Sequence, residues 1–232
     1  MGRMFVQNES NTRETLQKVV ERHKGFDFES FTAATVYTGS MENNGYANIS
    51  RAPDGRYICT LLVRDGQDTA GIARMAVASE TCAALAASSA EMASFVNRAV
   101  RTPAHAAFAW LDAEKGALDI CLLGAARLIR YNPHNQMLQG YKQDQNTLGS
   151  MEPPAFDNSL GSFGLEISKG EKLLFVYGDV DWEDLVRKVL KRAETDAEKQ
   201  QCLFSMLANT GTDAPSSAES KQHDAIVLML SV

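Results

Sequence analysis

Nowhere does this chain reach the roughly 20 consecutive apolar residues that a membrane-spanning helix requires. No basic run interleaved with aromatics marks a nucleic-acid surface, and acids exceed bases, 29 against 23, for a net charge of −6. That balance opposes binding to a phosphate backbone or an anionic bilayer. The opening Met1-Gly-Arg-Met-Phe-Val-Gln7 lacks the apolar core of a signal peptide, and Phe5 and Val6 do not satisfy a myristoylation motif. The expectation is a cytoplasmic protein whose partners are neither nucleic acid nor membrane. The four cysteines, Cys59, Cys82, Cys121 and Cys202, form no Cys-x-x-Cys pair. Each lies in apolar sequence, which points to buried free thiols rather than disulfides or zinc ligands. The four histidines make no i, i+4 pair and no cluster with cysteine, and no internal repeat is visible.

What is present is a strand-rich chain long enough to bury a substantial core. Residues 9–24 are predicted as a polar helix with the narrow apolar stripe Leu16, Val19 and Val20, closed by Gly25. Three β-branched, alternating segments follow at Phe31–Thr38, Tyr46–Arg51 and Tyr57–Arg64, separated by the turns Met41–Gly45 and Pro53–Arg56. They are expected to form an antiparallel meander. Thr69–Ser89, almost without charge, and the amphipathic Glu91–Thr102 are predicted as helices. Strands are expected again at Ala106–Leu111, Ala117–Leu123, Arg127–Tyr131 and Met137–Tyr141, with a polar connection over 142–158. Leu165–Ile167 and Lys172–Tyr177 are expected to pair through a Lys169-Gly170 turn. Helices at Trp182–Arg192 and Ala197–Leu207, a loop over 209–223 and a last strand Ala225–Val232 complete the order. Segregated runs of strands and helices indicate an α+β chain: two antiparallel sheets packed together with helical pairs outside.

Chemistry is suggested where the strand Tyr57–Arg64 stops at Asp65-Gly66 and a helix follows at once. A carboxylate and a glycine carbonyl at such a strand end both suit a hard divalent cation. The same acid also serves as a helix cap or an ordinary turn residue, and Asp68 has the position of a cap. Asp179 and Asp181 precede the helix from Trp182 and suit its positive end. Arg127 fits either a phosphate or a surface ion pair, and His223 either a ligand or a solvent-facing loop.

These motifs, in order, resemble the type 2C metal-dependent protein phosphatases (the PPM family), in the bacterial branch that includes the stage II sporulation phosphatase and the sigma-factor-regulator phosphatases. Asp65-Gly-Gln-Asp-Thr-Ala-Gly-Ile-Ala73 is similar to the family's Asp-Gly-His-Gly-Gly run, and Pro53-Asp-Gly-Arg56 to the turn before it. Leu123-Gly-Ala-Ala-Arg127 resembles its Gly-Asp-Ser-Arg strand, and Thr147-Leu-Gly149 the Leu-Gly beyond. Lys169–Asp179 falls on the strand ending Thr-Asp-Gly, and His223-Asp224-Ala-Ile-Val-Leu on the Asp-Asp opening of the last strand. The resemblance implies a PPM-type α/β/β/α sandwich over 27–232, preceded by an N-terminal helical segment, 1–26.

In the family a Mg²⁺ or Mn²⁺ pair is held by several acids. Here Asp65 and the Gly66 carbonyl match, but the opening-strand acid falls on Gly45 or Tyr46, with Glu42 and Asn48 the nearest polar alternatives. The Thr-Asp-Gly acid falls on Gly178, with the carboxylate displaced to Asp179, and the last falls on His223. One carboxylate does not hold two mutually repelling dications. The resemblance therefore implies a module that has lost hydrolysis, needs no cofactor and binds a protein partner in bacterial signalling. Its alternative is a divergent Mn²⁺- or Mg²⁺-dependent serine/threonine phosphatase. That enzyme would assemble its metal site from Asp65, Gly66 and some of Glu42, Asp68, Asp179, His223 and Asp224, with Arg127 on the phosphate.

Overall fold

Alternation along the strands decides which way each sheet faces. In Tyr57–Arg64, Cys59, Leu61 and Val63 point to one side while Ile58 and Leu62 point to the other, and all five are buried. Both faces of such a strand need cover, so it belongs inside a layered structure. The computed structural model describes residues 25–28, 30–64, 69–100, 102–208 and 224–232. Its six-stranded antiparallel sheet runs β1 (Gly25–Asp27), β2 (Thr32–Thr38), β11 (Ala225–Ser231), β10 (Lys172–Gly178), β7 (Arg127–Asn132), β8 (Met137–Tyr141). The five-stranded sheet, also antiparallel, runs β3 (Gly45–Arg51), β4 (Tyr57–Arg64), β5 (Ala104–Asp112), β6 (Ala117–Leu123), β9 (Phe163–Glu166).

Three apolar layers hold these sheets. Between them lie residues such as Tyr37, Leu61, Leu122, Phe175 and Leu228, all at most 1% exposed. The outer face of the five-stranded sheet, with Phe108 and Trp110, is covered by α2 (Thr69–Ala83), α3 (Ser89–Ala99) and α4 (Pro153–Ser159). The outer face of the six-stranded sheet, with Val176 and Val227, is covered by α5 (Trp182–Arg192) and α6 (Asp196–Ala208). The result is the α/β/β/α sandwich expected from the order of elements. Among the described residues no helix is long and apolar enough to cross a membrane.

The expected meander does not form. β2 pairs with β1 and β11, whereas β3 and β4 make a hairpin in the other sheet. The connection explains the change. Gly39 at φ +62° and the short helix α1 (Met41–Asn44) replace the tight turn a hairpin needs, and they carry the chain from one sheet to the other. The expected hairpin across Lys169-Gly170 fails in the same way: β9 pairs with β6, and β10 lies between β7 and β11. β11 is buried at all seven positions and so takes a central place, which β2 and β10 provide.

Two further differences are local. The predicted helix Thr69–Ser89 ends at Ala83 because Ser88 starts a new one. The Ser88 hydroxyl caps this helix by accepting the Glu91 N–H at 3.2 Å, and Glu91 reaches back to accept from the Ala87 N–H at 2.7 Å, one residue before the cap, a variant of the capping box. The connection over 142–158 is not a free loop. Leu148 and Phe156 are fully buried, Leu148 bridges to Ala104, and the Gly149 N–H donates to Asn97 Oδ1 at 2.7 Å. Beyond the end of β9, the amides of Gln143 and Gln145 bond the main chain of Leu122 and of Gly161. The loop over 209–223 and residues 1–24 lie outside the described residues.

At the end of the sandwich where β10 starts, Glu171 is completely buried and accepts two bonds from the Arg130 guanidinium, at 2.9 and 2.8 Å, and one from Asn132 at 2.9 Å. The Glu171 carboxylate beside it raises the Arg130 pKa above its ordinary value. Removing one partner of a buried pair strands the other charge. Arg130→Ala is expected to cost roughly 3–5 kcal/mol, read from chemical denaturation. Burial pushes the Cys59 and Cys121 thiols up to about 12, so both are expected to resist a thiol reagent at pH 8 until the chain unfolds. Rapid labelling of either in the native protein would contradict the packing.

Candidate functional site

The two sheets bring several strand ends to one place. Around a cavity of about 430 Å³ stand Arg64 at the end of β4, Arg127 at the start of β7, and Tyr177 and Gly178 at the end of β10. Asp179, just past β10, and Asp224, just before β11, complete the acids of the described lining, and Ser40 and Asn44 join it from the connection after β2. Of the residues singled out from sequence, Arg127, Asp179 and Asp224 are thus brought together. Asp65, Gly66, Asp68 and His223 lie outside the described residues, as does the side chain of Glu42.

The glycine positions decide what this cavity can hold. Gly178 pairs with Ala225 in a register that runs without a bulge from Lys172 opposite Ser231. Its φ is +141°, and a Cβ there would sit 2.6 Å from the Asp224 carbonyl oxygen and 3.1 Å from the Ala225 Cα. Neither backbone atom can withdraw without shifting β11, so no side chain fits where the resemblance calls for an acid. At Gly45 a Cβ would stand 2.9 Å from the Met41 carbonyl oxygen and 3.0 Å from Ile226 Cδ1. Tyr46 and Asn48 face the helical side instead, where the Tyr46 hydroxyl and the Asn48 amide donate to Glu80 at 2.8 and 2.9 Å. Burial, with the Glu80 carboxylate beside it, holds the Tyr46 phenol well above its ordinary value.

The acids that remain are partly committed. Asp224 Oδ1 accepts the Ser40 N–H at 2.7 Å, and the approach requires Gly39, whose Cβ would lie 2.1 Å from that oxygen. Asp179 is exposed on the rim. Asp181 caps α5, accepting the Asp184 N–H at 3.1 Å, as its position predicts. Arg127 is exposed, makes no ion pair with any described residue, and also lines an adjoining cleft of about 390 Å³ between β7, β8 and the start of α5. The turn before it is braced: the Ala125 N–H donates to His105 Nδ1 at 3.0 Å, and the His105 ring packs against Tyr177 at 4.9 Å, tilted by 32°.

The sequence reading did not single out Arg64, Tyr177, Ser40 or Asn44. Arg64 was within reach, since it directly precedes Asp65. Nothing local signals the others, which arrive through α1 and the register of β10.

No protein-family model matches the chain, and no curated protein matches it by sequence. Solved structures do match. RsbX in complex with magnesium aligns with a TM-score of 0.65 at 15% identity, over 90% of this chain and 98% of that one. The PP2C domain of SiaA from Pseudomonas aeruginosa gives 0.66 at 12% identity, over 85% and 83%. The fold is that of the PP2C phosphatases. The phosphatase domain of the cell-fate determinant SpoIIE from Bacillus subtilis, with a fragment of its regulatory domain, gives 0.61 at 9% identity, over 88% of this chain and 64% of that one.

A PP2C fold implies a pair of divalent cations, and the described lining does not fit one. Among the described residues no three of His, Cys, Asp and Glu come together as ligands. The cavity offers Asp179 and Asp224 beside two guanidinium groups, and hard dications need several negative oxygens. Gly178→Ala is expected to destabilise the fold by about 1–3 kcal/mol, read as a lowered Tm. Gly178→Asp should do so at least as strongly without adding affinity for Mn²⁺ by calorimetry. A stable Gly178→Asp protein that gains a tight Mn²⁺ site would show that β11 yields after all.

Proposed function

We propose that this chain is a regulatory or scaffolding module on a PP2C fold, one that has given up hydrolysis and binds a protein partner in bacterial signalling. The observation that carries the reading is the closed space at Gly178, where an acid cannot be seated without moving the neighbouring strand. A two-metal phosphatase activates water by lowering its pKa on the ions and stabilises charge on the phosphate with them. A strand end that excludes one of the carboxylates removes part of the charge that would hold those ions. Domain assignment follows the resemblance: residues 27–232 as the PP2C-like domain, and 1–26 as a separate N-terminal segment.

A second reading has its own support. Asp179 and Asp224 line one cavity with Arg127, which suits a divergent Mn²⁺- or Mg²⁺-dependent serine/threonine phosphatase that uses displaced acids together with Asp65, Gly66 or His223. In it Arg127 would orient the phosphoryl group and the acids would hold the ion. The two readings part on turnover. With p-nitrophenyl phosphate and a phosphoserine peptide in excess Mn²⁺, the module is expected to give a rate indistinguishable from buffer, unchanged by Asp65→Asn. Turnover that Asp65→Asn abolishes would establish the enzyme.

A further inference from the structure

Each sheet ends in two border strands, and three of the four are blunted. β1 is only three residues long, and β3 is buried over most of its length. β9 is four residues long and is continued by the amides of Gln143 and Gln145. Short or covered borders keep sheets from pairing with one another. β8 differs. Its five residues, Met137-Leu-Gln-Gly-Tyr141, bond only to β7 among the described residues. Met137, Gln139 and Gly140 are exposed, Met137 to 46%. The strand holds no charge and no proline, and its register with β7 runs without a bulge. The usual guards against edge pairing are therefore missing where the border is most open.

The surroundings of β8 select its partner. Leu138 and Gly140 lie on the outer face, where Leu138 packs among the residues beneath α5 and α6. Gly140 sits beside Ile129, and a Cβ there would stand 3.5 Å from Ile129 Cδ1 and 3.1 Å from Glu183 Oε1. In an antiparallel pairing of β8 with a second β8 about Gln139, Leu138 of each copy falls opposite Gly140 of the other, and Met137 opposite Tyr141. The large apolar side chain thus meets the missing one, and a thioether meets a ring. Helix α5 extends the match. It packs on β8, and Glu183 lies on the flank that touches Gly140, with Arg187 one turn further on the same flank. Both are exposed, whereas Asp184 and Lys188 already bridge each other at 2.6 Å. A twofold axis sets α5 antiparallel to its copy and turns Glu183 of each toward Arg187 of the other, so the surface complements itself in charge.

We propose that β8 pairs antiparallel with β8 of a second copy of this chain, joining two six-stranded sheets into one across a twofold axis at Gln139. Main-chain hydrogen bonds supply the affinity, and the matched side chains fix the partner and the register. The inference does not depend on whether the chain hydrolyses phosphate. Sedimentation equilibrium of the full chain over a concentration series tests it, with hydrogen exchange of the β8 amides as a second readout. A monomer–dimer equilibrium is expected, and the amides of Met137–Tyr141 that face away from β7 should gain protection as concentration rises. Gln139→Lys sets two ammonium groups face to face on the axis and should weaken the dimer about tenfold or more, with the circular dichroism of the parent retained. Glu183→Arg and Arg187→Glu should each weaken it several-fold, and the double exchange should restore it. A monomer at every concentration would overturn the proposal. So would full protection of β8 in the dilute monomer, which would assign the cover to the chain's own residues. A dimer indifferent to Gln139→Lys would place the contact elsewhere and overturn it too, as would a double exchange that stays as weak as either single one.

Discussion

The two sheets cover each other's apolar faces, and the rest of the molecule inherits that constraint. Tyr37, Leu61, Phe175 and Leu228 are sealed between them, so neither sheet folds usefully without the other. The packing brings the ends of β4 and β10 together with the beginnings of β7 and β11, and the cavity lies among these ends. The site is thus a by-product of layering, and its chemistry depends on which residues occupy a few strand termini. That separation explains how a scaffold persists while its terminal residues change.

At those termini, backbone geometry and charge point the same way. Gly178 and Gly39 are fixed by close contacts with the residues around Asp224, and Asp224 itself is turned toward a main-chain donor. Seating side chains at Gly178 and Gly45 would require rebuilding the joint between β10, β11 and α1, not a single exchange. Arg64 and Arg127 line the same cavity as Asp179 and Asp224.

How legible was this in the sequence? Element types were, because the burial pattern of strands such as β4 and the near absence of charge in α2 are strong local signals. Which sheet a strand joins was not. The exchange of β2 from a meander into the other sheet depends on Gly39 and on a one-turn helix within a segment that resembles a turn. The break after Ala83 was available in Ser88 and Glu91, whose spacing marks a capping box, but the surrounding alanines masked it. That Gly178 stands where the resemblance calls for an acid was readable from the sequence, whereas the reason no side chain fits there is a contact with another strand that only tertiary structure reveals.

The glutamines beyond β9 carry a consequence of their own. Strand β9 stops short of Leu122, and the amides of Gln143 and Gln145 continue in its place, donating and accepting as a peptide group would. The border of that sheet is therefore drawn by side chains. A frontier of this kind can be redrawn one residue at a time in evolution, letting the neighbouring connection lengthen or change course while the ladder behind it stays intact.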